Sequence, residues 1–176
     1  FCFFGLLLSH MQNAFAIRAD YTLGMQAEYT DNITLSDANT QDDVALSLLG
    51  GFLVDHAASE LDANIRGLLD YRNYLDNTYD NETLGSLSAE VEWRPLPGAL
   101  HVVVEDYFTQ TAVDTTAPDT PDNRVNANAF SIGPDIFFRL APATTLETQL
   151  RRSEYYFEDT ADDSSRNSIT AGLVRA

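Results

Sequence analysis

An all-β chain of antiparallel, up-and-down strands is the fold class the sequence predicts, and three observations predict it. Apolar and polar residues alternate with period two through long segments, which is strand and not helix patterning. Eight such segments follow one another, beginning near Tyr21, Val44, Leu61, Thr83, Leu100, Asn128, Thr145 and Asn167. The steps between these starts are 23, 17, 22, 17, 28, 17 and 22 residues, so long and short connections alternate strictly.

The alternation is readable residue by residue. In the first segment Tyr21, Leu23, Met25, Ala27 and Tyr29 are apolar, with Thr22, Gly24, Gln26, Glu28 and Thr30 between them. Leu61, Ala63, Ile65, Gly67, Leu69 and Tyr71 repeat it against Asp62, Asn64, Arg66, Asp70 and Arg72. Phe130, Ile132, Pro134, Ile136, Phe138 and Leu140 repeat it again. Short connections carry tight-turn residues: His56-Ala57-Ala58-Ser59, Pro95-Leu96-Pro97-Gly98 and Ala141-Pro142-Ala143. Long connections are polar and acidic: Asp31 to Asp43, Asn77 to Glu82, Asp114 to Val125, and Glu158 to Asn167.

Composition narrows the class. The 176 residues hold 27 Asp and Glu against 10 basic residues, all arginine, for a net charge of −17. So acidic a chain offers no basic face to phosphates, and nucleic acid is not an expected partner. Hydrophobic content of 44% is too high for a disordered acidic chain. Cys2 is the sole cysteine, which excludes an intrachain disulfide and a thiolate metal site. The apolar run Phe1 to Leu8, a polar stretch, and the small-x-small pattern Ala14-Phe15-Ala16 read as a secretory signal peptide over residues 1–16. Neither an initiator Met nor a basic n-region precedes it, so the start reads as truncated.

A secreted β-sandwich also alternates, because one sheet face is buried and the other wet. Long strands, charges of both signs on the polar face and regular loop alternation point instead to a transmembrane β-barrel over residues 17–176, placed in a bacterial outer membrane behind the signal peptide. Tyr21, Tyr29, Tyr71, Trp93 and Phe130 mark strand ends on the apolar face, as interfacial aromatic girdles do. Short turns then face the periplasm and acidic loops face outward, against lipid and lipopolysaccharide. The chain stops at Leu173-Val174-Arg175-Ala176 without a terminal aromatic residue, so eight strands are expected to be about half of a larger barrel.

Several phrases carry a resemblance. Tyr29-Thr30-Asp31-Asn32-Ile33, Glu92-Trp93-Arg94-Pro95-Leu96-Pro97, Val104-Glu105-Asp106-Tyr107-Phe108, and Asn126 through Gly133-Pro134-Asp135 resemble bacterial outer-membrane β-barrel proteins of the putative β-barrel porin type. These are found with exopolysaccharide and protein-sorting gene clusters. The resemblance spans most of residues 17–176 and implies polysaccharide export or passage of small polar solutes. It carries over no functional site.

Candidate chemistry is sparse. His56 falls in a turn and His101 near the turn-side rim, neither placed for hydrolysis at the outer surface. Glu90, Glu92 and Glu105 could supply a carboxylate pair for glycoside cleavage, but charged walls are ordinary in porin-like barrels. Asp37, Asp42 and Asp43, and likewise Asp159, Asp162 and Asp163, match no calcium-loop spacing and read as solvated acidic loops. No enzyme activity, cofactor or metal site is expected. Ser86, Ser88, Ser131 and Gly133 suit a wet conduit wall, while Leu49, Leu53, Leu68, Leu84 and Phe137 suit a plugged, structural barrel anchoring a surface complex.

Two positions break the alternation. Continuing the parity of Leu100, Val102 and Val104 puts Asp106 toward lipid, and that of Leu146, Thr148 and Leu150 does the same for Arg152. A β-bulge at each would turn Glu105, Asp106, Arg151 and Arg152 into one lumenal charge cluster. Tyr107, Tyr155 and Phe157 would then join the lipid-facing girdle.

Overall fold

A computed structural model describes residues 17–158 and 163–175; the expected signal peptide and Asp159 and Asp162 lie outside that range. Among the described residues the chain forms eight strands, β1 (Ile17–Thr30), β2 (Asp43–Ala57), β3 (Leu61–Tyr74), β4 (Glu82–Leu96), β5 (Leu100–Ala112), β6 (Arg124–Ala141), β7 (Thr144–Phe157) and β8 (Ser164–Arg175). They pair antiparallel in sequence order within one sheet, as the alternation predicts. Strands run 12 to 18 residues, longer than the apolar segments alone suggest, because polar flanks such as Arg124–Ala127 also join the ladder. Long loops follow odd-numbered strands and tight turns follow even ones. The β4–β5 turn closes with Ala99 N donating to Leu96 O at 2.9 Å, and Gly98 takes the positive φ of 73° that a side chain would oppose.

Directly paired residues share a face, so the ladders assign every side chain. One face carries Tyr21, Leu23, Met25, Leu46, Leu48, Phe52, Leu69, Tyr71, Trp93, Ile132, Phe138, Ile169 and Leu173, all exposed. The other carries most of the charges, and the most enclosed side chains lie there: Asp43, Ala45, Ser47, Tyr74 and Asp135. The protein is therefore inside out, with its apolar surface outward and its enclosed residues largely polar.

The register is also staggered. From Ile17 the directly paired residues run His56, Ala63, Val91, Val104, Ile132 and Arg152. Ile17 is the first residue of β1, whereas Arg152 lies eight residues (152 − 144) into β7. That climb over six strand steps, at about 3.3 Å per residue and about 4.8 Å per step, inclines the strands by roughly 40° to the axis about which the sheet curls. Barrel walls share this inclination. Among the described residues β1 pairs only with β2 and β8 only with β7, so the sheet is open.

The two expected bulges are absent. The ladders run unshifted through Glu105↔Ser131 and Asp106↔Phe130, and through Arg151↔Ser168 and Arg152↔Asn167. Register shifts occur only beside the tight turns, at Trp93/Leu96 and Arg139/Ala141. Backbone pairing thus prevails over the cost of two outward charges.

The β6–β7 ladder skips Gly133 and Pro134, where proline has no N–H to give. The strands press together there: a Cβ on Gly133 would overlap the Leu150 carbonyl. Gly133→Ala is therefore expected to lower unfolding stability by on the order of 3 kcal/mol. Gly172→Ala, with nothing near its missing Cβ, should change it by less than about 0.5 kcal/mol. Urea titration of both variants in detergent checks the contrast.

Candidate functional site

The concave, polar face holds the chemistry, and it divides into three levels. At the loop end Glu82 is the hub. It accepts from Arg124 at 2.8 Å and from the Tyr74 hydroxyl at 2.5 Å, and lies 3.7 Å from the Arg72 guanidinium. Arg72 in turn donates to Asp70 at 2.8 Å, and Arg124 to Asp119 at 2.8 Å. Tyr79 from the β3–β4 loop packs edge-on against Tyr74, with ring centroids 5.5 Å apart. This network was not legible in the sequence, since Arg124 alternates to the opposite face and reaches Glu82 only from its strand end. Charges of opposite sign flanking the long loops were the available signal.

Asp43 corrects an expectation at the same level. It is not a solvated loop acid: it is fully enclosed, and its carboxylate accepts from the amides of Val44, Asp76 and Thr78 at 2.6, 3.0 and 3.1 Å. It latches the β3–β4 loop onto β2. Asp163 likewise accepts from the Phe157 amide at 3.0 Å. Among the described residues no three of His, Cys, Asp and Glu converge on a point that could hold a metal.

Beside β4, the main-chain ladder to β5 ends at Leu87↔Phe108. Above it the Gln110 side chain accepts from Gly85 N at 2.8 Å and donates to Thr83 O at 2.9 Å. One amide side chain thus substitutes for strand pairing.

The middle level is a trough of about 1150 Å³ reaching from β1 to β5. Leu49, Leu53, Leu68 and Leu84 line it with Thr22, Gly51 and Ser86, so part of this wall is apolar. Phe137 lies nearer the turns, against His101, with ring centroids 4.7 Å apart.

At the turn end Arg94 clamps three elements. It bonds Asp62 on β3 and Glu92 on its own strand, the latter at 2.8 Å, and donates to Ala58 O of the β2–β3 turn at 3.1 Å. His101 Nδ1 lies 2.5 Å from Glu92. Glu90 and Glu105 stand directly opposite each other, with the Tyr107 hydroxyl donating to Glu90 at 2.7 Å. Glu92 is thus committed to ion pairs and Glu90 to the Tyr107 hydroxyl. His56 pairs with Ala63 on β3, at the edge of the pocket that Asp62, Glu90, Glu92 and Glu105 also line.

The expected four-residue cluster does not assemble. Glu105 and Arg151 lie on the concave face, Asp106 and Arg152 on the outer one, because no bulge resets the parity. Arg151 pairs with Asp135 at 2.5 Å and also donates to Leu150 O at 2.9 Å, beside the ladder gap at Pro134. Arg152 pairs with Glu154 at 3.1 Å. For the same reason Tyr107, Tyr155 and Phe157 face inward and leave the girdle, while Tyr21, Tyr29, Tyr71, Trp93 and Phe130 keep the outer face.

Together these features define a curled antiparallel sheet with an apolar exterior and an ion-paired, partly apolar concave wall. No family model, curated protein or solved structure matches the chain.

Two outcomes are expected. Arg151→Ala strips the partner from Asp135, nine-tenths enclosed, and should cost about 2–3 kcal/mol of unfolding stability. Arg18→Ala removes an exposed pair with Asp20 and should cost less than about 1 kcal/mol; urea midpoints decide. In the β5–β6 loop, hydrogen bonds from the Thr116 hydroxyl and amide hold the Asp114 carboxyl below its ordinary 3.8, and the Arg124 guanidinium does the same for Asp119. Their folded values are depressed, so their contribution is complete above about pH 4 and is lost as pH falls through the folded values. Amide exchange across residues 113–123, corrected for intrinsic rates, should rise between pH 4 and pH 2 and stay flat above.

Proposed function

We propose that these eight strands form part of the wall of an outer-membrane β-barrel, working as a porin-like conduit or as a component of exopolysaccharide export. One observation carries the reading: the outer face of β1 to β4 bears no Asp, Glu, Lys or Arg, although its large apolar side chains are exposed. Water would penalise such a surface, and a bilayer accepts it. The roughly 40° inclination agrees, and the inner strands β2, β3, β6 and β7 are paired on both sides, as hydrocarbon demands. The concave wall would then line the passage, with Arg72, Arg94 and Arg151 held by carboxylates and its net charge negative, suited to neutral sugars or small polar solutes.

A second reading, a plugged structural barrel that anchors a surface complex, is favoured by the leucine patch of the trough, which a water-filled pore would not need. Single-channel conductance of the full-length protein separates the two: steps of open current support the conduit, silence in a folded barrel the anchor. The membrane reading has its own test in Leu23→Arg, at the midpoint of the β1 belt and 55% exposed. In a bilayer this variant should lose about 2–4 kcal/mol. A soluble sheet would lose less than about 0.5 kcal/mol, and that result removes the proposal.

A further inference from the structure

The outer face is not uniform around the sheet. On β2 it is free of charge from Val54 to Val44, a rise of ten residue steps, and on β3 from Leu61 to Tyr71, again ten steps. On a strand inclined by roughly 40° each residue rises about 2.5 Å, so this belt is about 25 Å tall, the height of a barrel's apolar band. On β5 the belt ends at Asp106, six residues above Leu100, and on β7 at Arg152, eight above Thr144. Those heights are about 15 and 20 Å above the turns, within the band rather than beyond it.

The outward charges form one patch. Asp106, Phe130 and Glu154 occupy a single ladder row across β5, β6 and β7, and Arg152 lies one row below, beside Asn167 on β8. Side-chain bonds agree with the ladders: Arg152 reaches Glu154 at 3.1 Å and Asn167 at 3.4 Å. The Arg152 and Glu154 side chains are nonetheless 45% and 60% exposed. Left against lipid, each charge at that depth is costly. Lipid phosphates are a poor occupant, because two acids outweigh one arginine. The patch does, however, contain its own complement. A copy related by a two-fold axis brings Arg152 of one chain to Asp106 or Glu154 of the other, with Phe130 and Tyr156 supplying apolar contact between them.

We propose that the outer face of β5–β8, at the level of Asp106, Phe130, Arg152 and Glu154, is the surface through which two copies of this chain associate in the membrane. The inference rests on the barrel-wall reading given above. It adds a polarity to the wall: β1–β4 face lipid, and β5–β8 face a second subunit.

Disulfide trapping in outer-membrane vesicles tests it, with full-length protein in a Cys2→Ser background. Glu154→Cys, or Ser165→Cys on the same row, should give a dimer of doubled mass on non-reducing gels; Leu48→Cys on the charge-free side should stay monomeric. Arg152→Glu should abolish trapping at Ser165→Cys, and adding Glu154→Arg should restore it. An alkaline carbonate wash of the same vesicles is read in parallel. If the chain stays in the pellet but neither cysteine traps a dimer, or trapping survives Arg152→Glu, the dimer proposal is overturned and the wall reading stands. Release of the chain by the wash overturns both. A monomer that copurifies with anionic lipid through this patch also overturns it.

Discussion

Backbone pairing is the constraint on which everything else in this protein depends. An ordinary domain is held by an apolar centre, but here the enclosed side chains are few and mostly polar, and many large apolar ones are exposed on the outer face. What joins β1 to β8 is antiparallel main-chain pairing between each strand and the next. Its register decides which side chains meet, and the cost of breaking it exceeds the cost of an ill-placed charge. Asp106 and Arg152 face outward because a bulge would cost hydrogen bonds on both flanking strands.

The polar wall follows from the same constraint. Where the ladder is imperfect, a side chain completes it: Arg151 beside Pro134, Gln110 above Leu87, Asp43 across to the β3–β4 loop. Arg94 binds turn, β3 and β4 into one corner. Many charges that read as a pore lining are therefore fastenings. A solute passing this wall would meet groups already engaged with one another, which favours weak, unselective contact over a binding site.

The sequence carried the repeating part of this structure plainly. Period-two alternation gave strand identity, turn residues gave the hairpin order, and Tyr21, Tyr29, Tyr71 and Trp93 gave the outer face. Failures came where a local rule was asked to override the ladder. Parity breaks at Asp106 and Arg152 read as bulges, which misplaced Tyr107, Tyr155 and Phe157 with them. Asp43 looked like one more acid in an acidic loop, since nothing local announces that two amides 33 and 35 residues away will meet it. Glu82 and Arg124 are 42 residues apart and join for the same nonlocal reason.

Gln110 has a mechanical consequence. Above Leu87 the strands β4 and β5 are joined by one flexible amide where a ladder would supply several rigid bonds. Rotation of that side chain parts the two strands there without breaking a main-chain hydrogen bond between them. The curled sheet thus contains a seam, open from the loop end and closed at Leu87↔Phe108, along which its girth can vary while its base stays fixed.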